Sequence, residues 1–272
     1  MSRIEARFRA LGSQGRRALI PYLMAGDPSR ETTVPLMHAL VAAGADLIEL
    51  GVPFSDPMAD GPVIQAAGER ALANGIRLRD VLDLLQEFRR RDTDTPVVLM
   101  SYLNPIEAMG YQRFAAASAA AGADGALTVD LPPEEAGDLV AALESHGLDP
   151  IFLTAPTTTH ERLGRIAEIG RGFVYYVSLK GVTGADRLDT SSVQAKIAEL
   201  RGLTGLPLGV GFGISTPEMA AAVARFADAV VVGSALVKRM GEHRTDPAAL
   251  SASVSGLLAD MRRAMDRSVA AA

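Results

Sequence analysis

AGADLIELGVPFSDPMADGPV, residues 43–63 of the chain, opens on small residues and an aspartate, runs into a short apolar stretch, and then leaves a long acidic loop. Residues 45–51 are too few, and too closely bounded by glycine and proline, to make a helix, and read as a buried strand. Side chains alternate between the faces of a strand, so Leu47, Glu49 and Gly51 point one way and Ile48 and Leu50 the other. Two other stretches share the pattern: AGADGALTVDLPP at 121–133 and FADAVVVGSAL at 226–236. Aligning Asp46, Asp124 and Asp228 sets Glu49 opposite Leu127 and Val231. The repeat asks for an aliphatic residue there and this copy supplies a carboxylate. An unpartnered carboxylate inside a core is costly and its pKa rises, which marks Glu49 as a candidate general acid or base. The bland alternative is a buried Glu satisfied by backbone or by an arginine.

Working outward, strand patterns fall near residues 18–28, 45–51, 95–105, 125–129, 149–155, 172–178, 206–211 and 227–232. Helical patterns fill the intervals at 30–43, 63–74, 78–91, 106–121, 133–146, 159–169, 193–200, from 216, and on to the C-terminus. Pro62 suits a first helical turn, and Asn74-Gly75 splits the two helices between the second and third strands. Eight strands alternating with helices imply a parallel sheet, and eight such units in 272 residues fit a closed (β/α)8 TIM barrel with extra N-terminal and inserted helices. No low-complexity or Pro/Gly/Ser-rich linker divides the chain, so one domain over 1–272 is expected. Ile4, Phe8 and Leu11 recur at helical spacing; a short helix within residues 1–16 is expected to plug the bottom of the barrel.

Composition narrows the function. With 48% hydrophobic residues and a net charge of −5, the chain can bury a large core and carries no basic stripe for nucleic acid. Eight Phe, five Tyr and no Trp also argue against a stacking platform for single strands. The absence of cysteine excludes disulfides and thiolate chemistry and suits a cytoplasmic location. No apolar signal core stands in residues 1–16 and no run of 18 apolar residues occurs, so neither secretion nor membrane insertion is expected.

In barrels of this kind the active site is built at the C-terminal strand ends, with phosphate commonly held after strands seven and eight. Those ends read GVGFGIS at 209–215 and VVGSAL at 231–236. Gly209, Gly211 and Gly213 alternate along one face, where missing side chains would leave room for a ligand. Gly213, Gly233 and Ser234 can turn backbone N–H groups, a helix dipole and a hydroxyl toward an anion. A dinucleotide fold is disfavoured, because these glycines lie in the seventh unit and lack GxGxxG spacing. The three lysines (Lys180, Lys196, Lys238) are not mid-strand, which argues against a Schiff base; His38, His146, His160 and His243 are scattered in or beside helices. HExxH, P-loop and GxSxG patterns are missing, so no metal site is expected. Carboxylate acid/base catalysis on a phosphorylated small molecule remains, with Glu49, Asp56, Asp60 and Asp130 near strand ends. Asp60 as a helix cap and Asp56 as a turn residue are the competing readings.

The motif LIELGVPFSDPMADGPVIQ at 47–65 closely resembles the tryptophan synthase alpha subunit, as do MSYLNP at 100–105, DLPPEE at 130–135, Tyr175 followed by GVTG at 181–184, GFGIS at 211–215 and VGSA at 232–235. The resemblance spans essentially the whole chain. It implies retro-aldol cleavage of indole-3-glycerol phosphate to indole and glyceraldehyde 3-phosphate, with Glu49 as general acid/base and Asp60 stabilising charge at the indole N–H. It further implies a substrate pocket of Tyr22, Met100, Leu127, Val129, Tyr175 and Thr183, in which Tyr22 stands where the family commonly has phenylalanine. Phosphate would meet Gly184, Gly211, Phe212, Gly213, Gly233 and Ser234. Loops 53–60 and 179–191 look like lids, with Thr183 matching the residue that hydrogen-bonds Asp60 on closure; Leu179 and Lys180 depart from members with arginine at the first of these positions.

The same resemblance implies an α2β2 complex whose beta subunit carries pyridoxal phosphate and receives indole through a tunnel, with no cofactor in this chain. Asp56, with Pro53, Phe54 and Pro57, would face the partner, and Pro53, Phe54 and Met58 as exposed apolar loop residues are consistent with a buried interface. A stand-alone indole-glycerol-phosphate lyase and a catalytically silent allosteric subunit are the alternatives, and another phosphate-binding barrel is disfavoured by the ELGVPFSDP loop.

Overall fold

A computed structural model describes residues 1–177, 190–211 and 213–270 of the chain. Eight parallel strands close into a barrel in sequence order: β1 Ala18–Met24, β2 Ile48–Gly51, β3 Val97–Ser101, β4 Gly125–Thr128, β5 Asp149–Thr154, β6 Val174–Val177, β7 Leu208–Gly211 and β8 Ala229–Val232, with β8 pairing back onto β1. Closure leaves no open sheet edge. The helices stand outside as α1 Arg3–Ser13, α2 Arg30–Ala42, α3 Pro62–Ala73, α4 Leu78–Arg89, α5 Leu103–Met109, α6 Tyr111–Ala121, α7 Gly137–Ser145, α8 His160–Ile169, α9 Thr190–Arg201, α10 Pro217–Ala224, α11 Ser234–Glu242 and α12 Pro247–Ala270. The fold is a TIM barrel. None of the described helices is long and apolar enough to cross a membrane.

Local chemistry sets most element ends. Ser2, Thr159 and Thr216 cap α1, α8 and α10 by accepting from Glu5, Arg162 and Met219 N–H, each satisfying a donor the helix leaves free. The region 106–121, which reads as a single helix, is two: Gly110 at φ 87° breaks α5 from α6. The start of the helix expected at 133 moves to Gly137. The single pattern after β8 also divides, into α11 and α12.

Two apolar layers follow from strand alternation. Ile48 and Leu50 face outward into the layer between sheet and helices, where Val97, Leu99, Val230 and Val232 also lie. Leu47, Val98, Leu127, Ile151, Phe173 and Val231 fill the barrel interior. Ile4 and Leu11 of α1 are buried in that interior cluster, and the ring of Phe8 lies 5.8 Å from that of Phe173.

The repeated aspartates stand at the N-terminal ends of the strands, which is the bottom of the barrel. Asp46 accepts the Leu19 N–H (2.9 Å) while its own N–H donates to Leu19 O (2.9 Å). Asp124 makes the same two-way clamp with Val97 (2.8 and 2.9 Å) and Asp228 with Leu208 (2.9 and 2.9 Å). Each clamp also meets arginine: Arg262 on Asp46 at 3.0 Å, Arg89 and Arg3 on Asp124 at 2.7 and 2.8 Å, and Arg201 on Asp228 at 3.0 Å. A buried carboxylate so paired and hydrogen-bonded avoids the cost of an isolated charge. The motif that reveals the repeat is thus a structural device, and chemistry is left to the other end.

Candidate active site

The C-terminal strand ends open onto a cavity of ≈ 440 Å³, within the range of small-molecule sites. Of the side chains expected there, Glu49, Asp60, Tyr22, Met100, Val129, Tyr175, Gly213, Gly233 and Ser234 all line it. Leu127 does not. It is fully buried in the interior cluster, one side-chain layer beneath Val129, because inward-facing residues two apart on a strand sit about 6.6 Å apart in depth. Thr183, Gly184 and Phe212, with most of the 179–191 loop, fall outside the described residues.

Glu49 reaches the cavity because Leu47, two residues earlier, points into the barrel and alternation carries the next odd residue the same way. It is 1% exposed, and its Oε1 has no hydrogen-bond partner among the described residues. Burial pushes its pKa up to about 8, so the carboxyl carries a proton at neutral pH. In register it neighbours Tyr22 on β1 and Val98 on β3. Both Tyr22 and Tyr175 are held above the ordinary tyrosine range, first by burial and then by nearby carboxylates, Asp60 and Glu49 at Tyr22 and Glu49 at Tyr175. They remain neutral phenols.

Asp60 lies in the loop before α3, ahead of the Gly61 cap and Pro62, and is half-buried. Gln65 fixes the loop by donating Nε2 to Asp60 O at 2.9 Å. Burial raises the Asp60 pKa to about 6, against the opposing pull of a hydrogen bond from Tyr102. Tyr102, just past the end of β3, also accepts the Ala59 N–H at 3.0 Å and stacks on Phe54 with ring centroids 5.2 Å apart. Sequence reasoning missed this residue, although its position inside the SYLNP stretch at a strand end was a usable signal. It also missed Ile64, Thr154, Thr158 and Ser215 on the cavity wall.

The glycines need a correction. The space expected beside Gly209 and Gly211 is already occupied by aromatic side chains, Phe173 just before β6 and Tyr175 within it. A Cβ on Gly209 would come within 3.2 Å of the Phe173 ring, and one on Gly211 within 2.1 Å of the Tyr175 hydroxyl. These two glycines seat rings and leave no room for a ligand. Gly51 does the same for Tyr22, whose hydroxyl lies 2.3 Å from the Cβ position there and 3.8 Å from Met24 Sδ. Gly213, at φ 75°, does line the cavity, as do Gly233 and Ser234, the cap and first residue of α11. The first N–H groups of a helix lack helical acceptors and favour an anion.

The loop expected to face a partner is also only partly open. Pro53 is buried and Phe54 is half-buried against Tyr102, so neither is the exposed apolar residue that the sequence suggests. Asp56 is exposed, Pro57 is half-buried, and Met58 is 86% exposed. Among the described residues no group of three His, Asp or Glu side chains is placed to hold a metal ion.

A pocket with two carboxylates poised apart, a hydrophobic wall and an anion-binding end suits proton transfer on a phosphorylated apolar substrate. Comparisons with known proteins agree. The family model described as tryptophan synthase alpha chain matches residues 8–266. The chain is 64% identical over 266 residues to the tryptophan synthase alpha chain of Thioalkalivibrio sulfidiphilus, covering 98% of this chain and 100% of the relative. It is 60% identical to that of Marinobacter nauticus, covering 98% of both. The crystal structure of tryptophan synthase subunit alpha from Legionella pneumophila superposes with a TM-score of 0.92 at 49% identity, covering 98% of this chain and 99% of that one. By this evidence the chain belongs to the tryptophan synthase alpha chain family.

Proposed function

We propose that Glu49 and Asp60 carry the family's reaction in this chain, the cleavage of indole-3-glycerol phosphate to indole and glyceraldehyde 3-phosphate in tryptophan biosynthesis. The carrying observation is Glu49: a protonated, fully buried carboxyl without a partner among the described residues, opening onto the same cavity as Asp60 and the α11 N-terminus.

Glu49 gives its proton to the indole ring carbon that bears the glycerol chain. The ring becomes an iminium, and Asp60, ionised at neutral pH, balances the charge at its N–H. Glu49, now a carboxylate, takes the proton from the hydroxyl on the adjacent glycerol carbon. The carbon–carbon bond breaks, its electron pair restores the indole ring, and the hydroxyl carbon becomes the aldehyde of glyceraldehyde 3-phosphate. Glu49 ends protonated, as it began. Met100, Val129 and Tyr175 wall the indole, and Tyr22 narrows the pocket from β1. Gly213, Gly233 and Ser234 hold the phosphate, joined by Gly184 and Phe212, while Gly211 serves by seating Tyr175. Thr183 closes over Asp60 when the 53–60 and 179–191 loops shut, excluding water.

Alpha chains of tryptophan synthase partner a beta subunit. The α2β2 assembly, pyridoxal phosphate confined to the beta partner, and a cytoplasmic location complete the reading. Exposed Asp56 and Met58 suit the interface, and Phe54 stacked on Tyr102 gives the partner a lever on Asp60. The test is indole release by the purified chain with and without a beta subunit. Weak release alone, stimulated by the partner and abolished by Glu49→Gln, is expected. Equal high activity without the partner would identify a stand-alone lyase, and no release in either case a silent subunit.

A further inference from the structure

At the opposite end of the barrel a second cavity, ≈ 210 Å³, opens between the α1–β1 junction, the α9–β7 junction and the start of β8. Phe8, Leu11, Leu206 and Pro207 form an apolar side, and three arginines with one aspartate form the other. The donors of those arginines are largely unclaimed. The Arg17 guanidinium makes no hydrogen bond to any described residue; its one ionic contact, Nη1 to Asp228 Oδ1, is 3.6 Å long, and its Nε is buried without a partner. Arg201 divides Nη2 between Asp228 Oδ2 at 3.0 Å and Phe226 O at 3.3 Å. Arg16 reaches Asp266 Oδ1 only at 3.3 Å, and that oxygen is already held by Arg262 at 2.6 Å. Asp228 also spends Oδ2 on the Leu208 N–H clamp.

Two guanidiniums, those of Arg17 and Arg201, therefore share a single carboxylate that is partly committed elsewhere, and Arg16 beside them is held only loosely by Asp266. A buried donor left without an acceptor is unfavourable, and a guanidinium fork matches the oxygens of carboxylates and phosphates. We infer that this lower cavity binds a small organic anion, a carboxylate or phosphomonoester on a short apolar body, with Arg17 and Arg201 holding the head and Phe8 and Leu206 covering the body. The site lies outside the proposed chemistry and does not depend on it. A bound anion ties α1, α9 and β8 together at the closed end of the barrel.

The test is calorimetric titration of the full chain with two probes, benzoate and phenyl phosphate. Because the upper cavity is proposed to hold phosphate, variants must tell the two ends apart. Benzoate is expected to bind at one site, weakened about tenfold, the size of one charge-assisted hydrogen bond, in Arg17→Gln and Arg201→Gln, and unchanged in Ser234→Ala; phenyl phosphate is expected to show the same site together with a second that Ser234→Ala weakens. Preference for one probe identifies the head group. If Arg17→Gln fails to fold, the half-exposed Arg201 decides alone. Any other pattern overturns the inference: no binding of either probe up to about 10 mM, benzoate binding lost in Ser234→Ala, or full benzoate affinity retained by Arg201→Gln.

Discussion

The two ends of the barrel treat the same chemical group in opposite ways, and β2 with its lead-in carries both treatments. Asp46, at the bottom, accepts the Leu19 N–H at 2.9 Å and an Arg262 donor at 3.0 Å. Glu49, three residues further on, is as deeply buried and has an oxygen with no partner among the described residues. Burial pushes both pKa values up, but at Asp46 the Leu19 N–H and Arg262 pull the other way, whereas at Glu49 nothing does. The clamped aspartates hold neighbouring strands in register. The unclamped glutamate keeps its proton at neutral pH, as the acid step proposed for it requires. What separates structure from chemistry here is the surroundings of the carboxylate.

That contrast breaks first at Glu49. Glu49→Gln is expected to lower kcat on the order of 10²–10⁴-fold, the usual worth of a general acid/base, measured as indole release in the presence of the beta subunit. The same variant sharpens the contrast through stability. The folded Glu49 pKa of about 8 lies above its ordinary 4.5, so its contribution to stability is full below about 4.5 and is lost as pH rises through about 8. Glu49→Gln escapes that loss. At pH 9 it should resist urea better than the parent, on the order of 3–5 kcal/mol, and the advantage should vanish near pH 4. Equal stability of the two proteins at pH 9 would mean that Glu49 is not a bare carboxyl.

Asp46→Ala tests the other pole. Stripping the Leu19 N–H of its acceptor and leaving Arg262 with only Asp266 and the Arg17 carbonyl should cost about 1–3 kcal/mol of stability in urea titrations, with kcat of the folded fraction unchanged. A variant as stable as the parent but inactive would erase the division between the two ends. Asp60→Asn should cost on the order of 10²-fold in kcat and reshape the pH profile. The parent's kcat/KM should be bell-shaped, falling below about 6 as Asp60 protonates and above about 8 as Glu49 ionises; the variant should lose the acid limb alone. The smallest effect belongs to Tyr102→Phe. Removing the hydrogen bond that holds Asp60 down should move the acid limb to higher pH, with a loss of only a few-fold at neutral pH, in line with one hydrogen bond to a charged group.

The alternation of strands and helices, the closed barrel and the inward direction of Glu49 were all legible in the sequence, because period-two patterning and the Asp46, Asp124 and Asp228 repeat are local signals. Glycine was harder to read. Gly211 and Gly209 look like open floor when seen along one strand, but the space belongs to Tyr175 on the strand beside them and to Phe173 at its entry, and cross-strand occupancy leaves no mark in a single stretch. Depth was hidden for the same reason: Leu127 and Val129 share a face, yet only the latter reaches the cavity. Tyr102 went unnoticed because its role depends on a loop more than 40 positions earlier. The break at Gly110 needed a positive φ that helical periodicity does not report.

The tyrosine–glycine pairs also say where the dimensions of the pocket are encoded. The Tyr22 ring rests over Gly51 and the Tyr175 ring over Gly211, so the position of each wall is fixed by an absent methyl on the adjoining strand. A single added carbon at either glycine would displace the phenol that rests on it, and with it a wall of the cavity. The bore of this enzyme can therefore be retuned from β2 and β7 without altering any residue that lines the cavity.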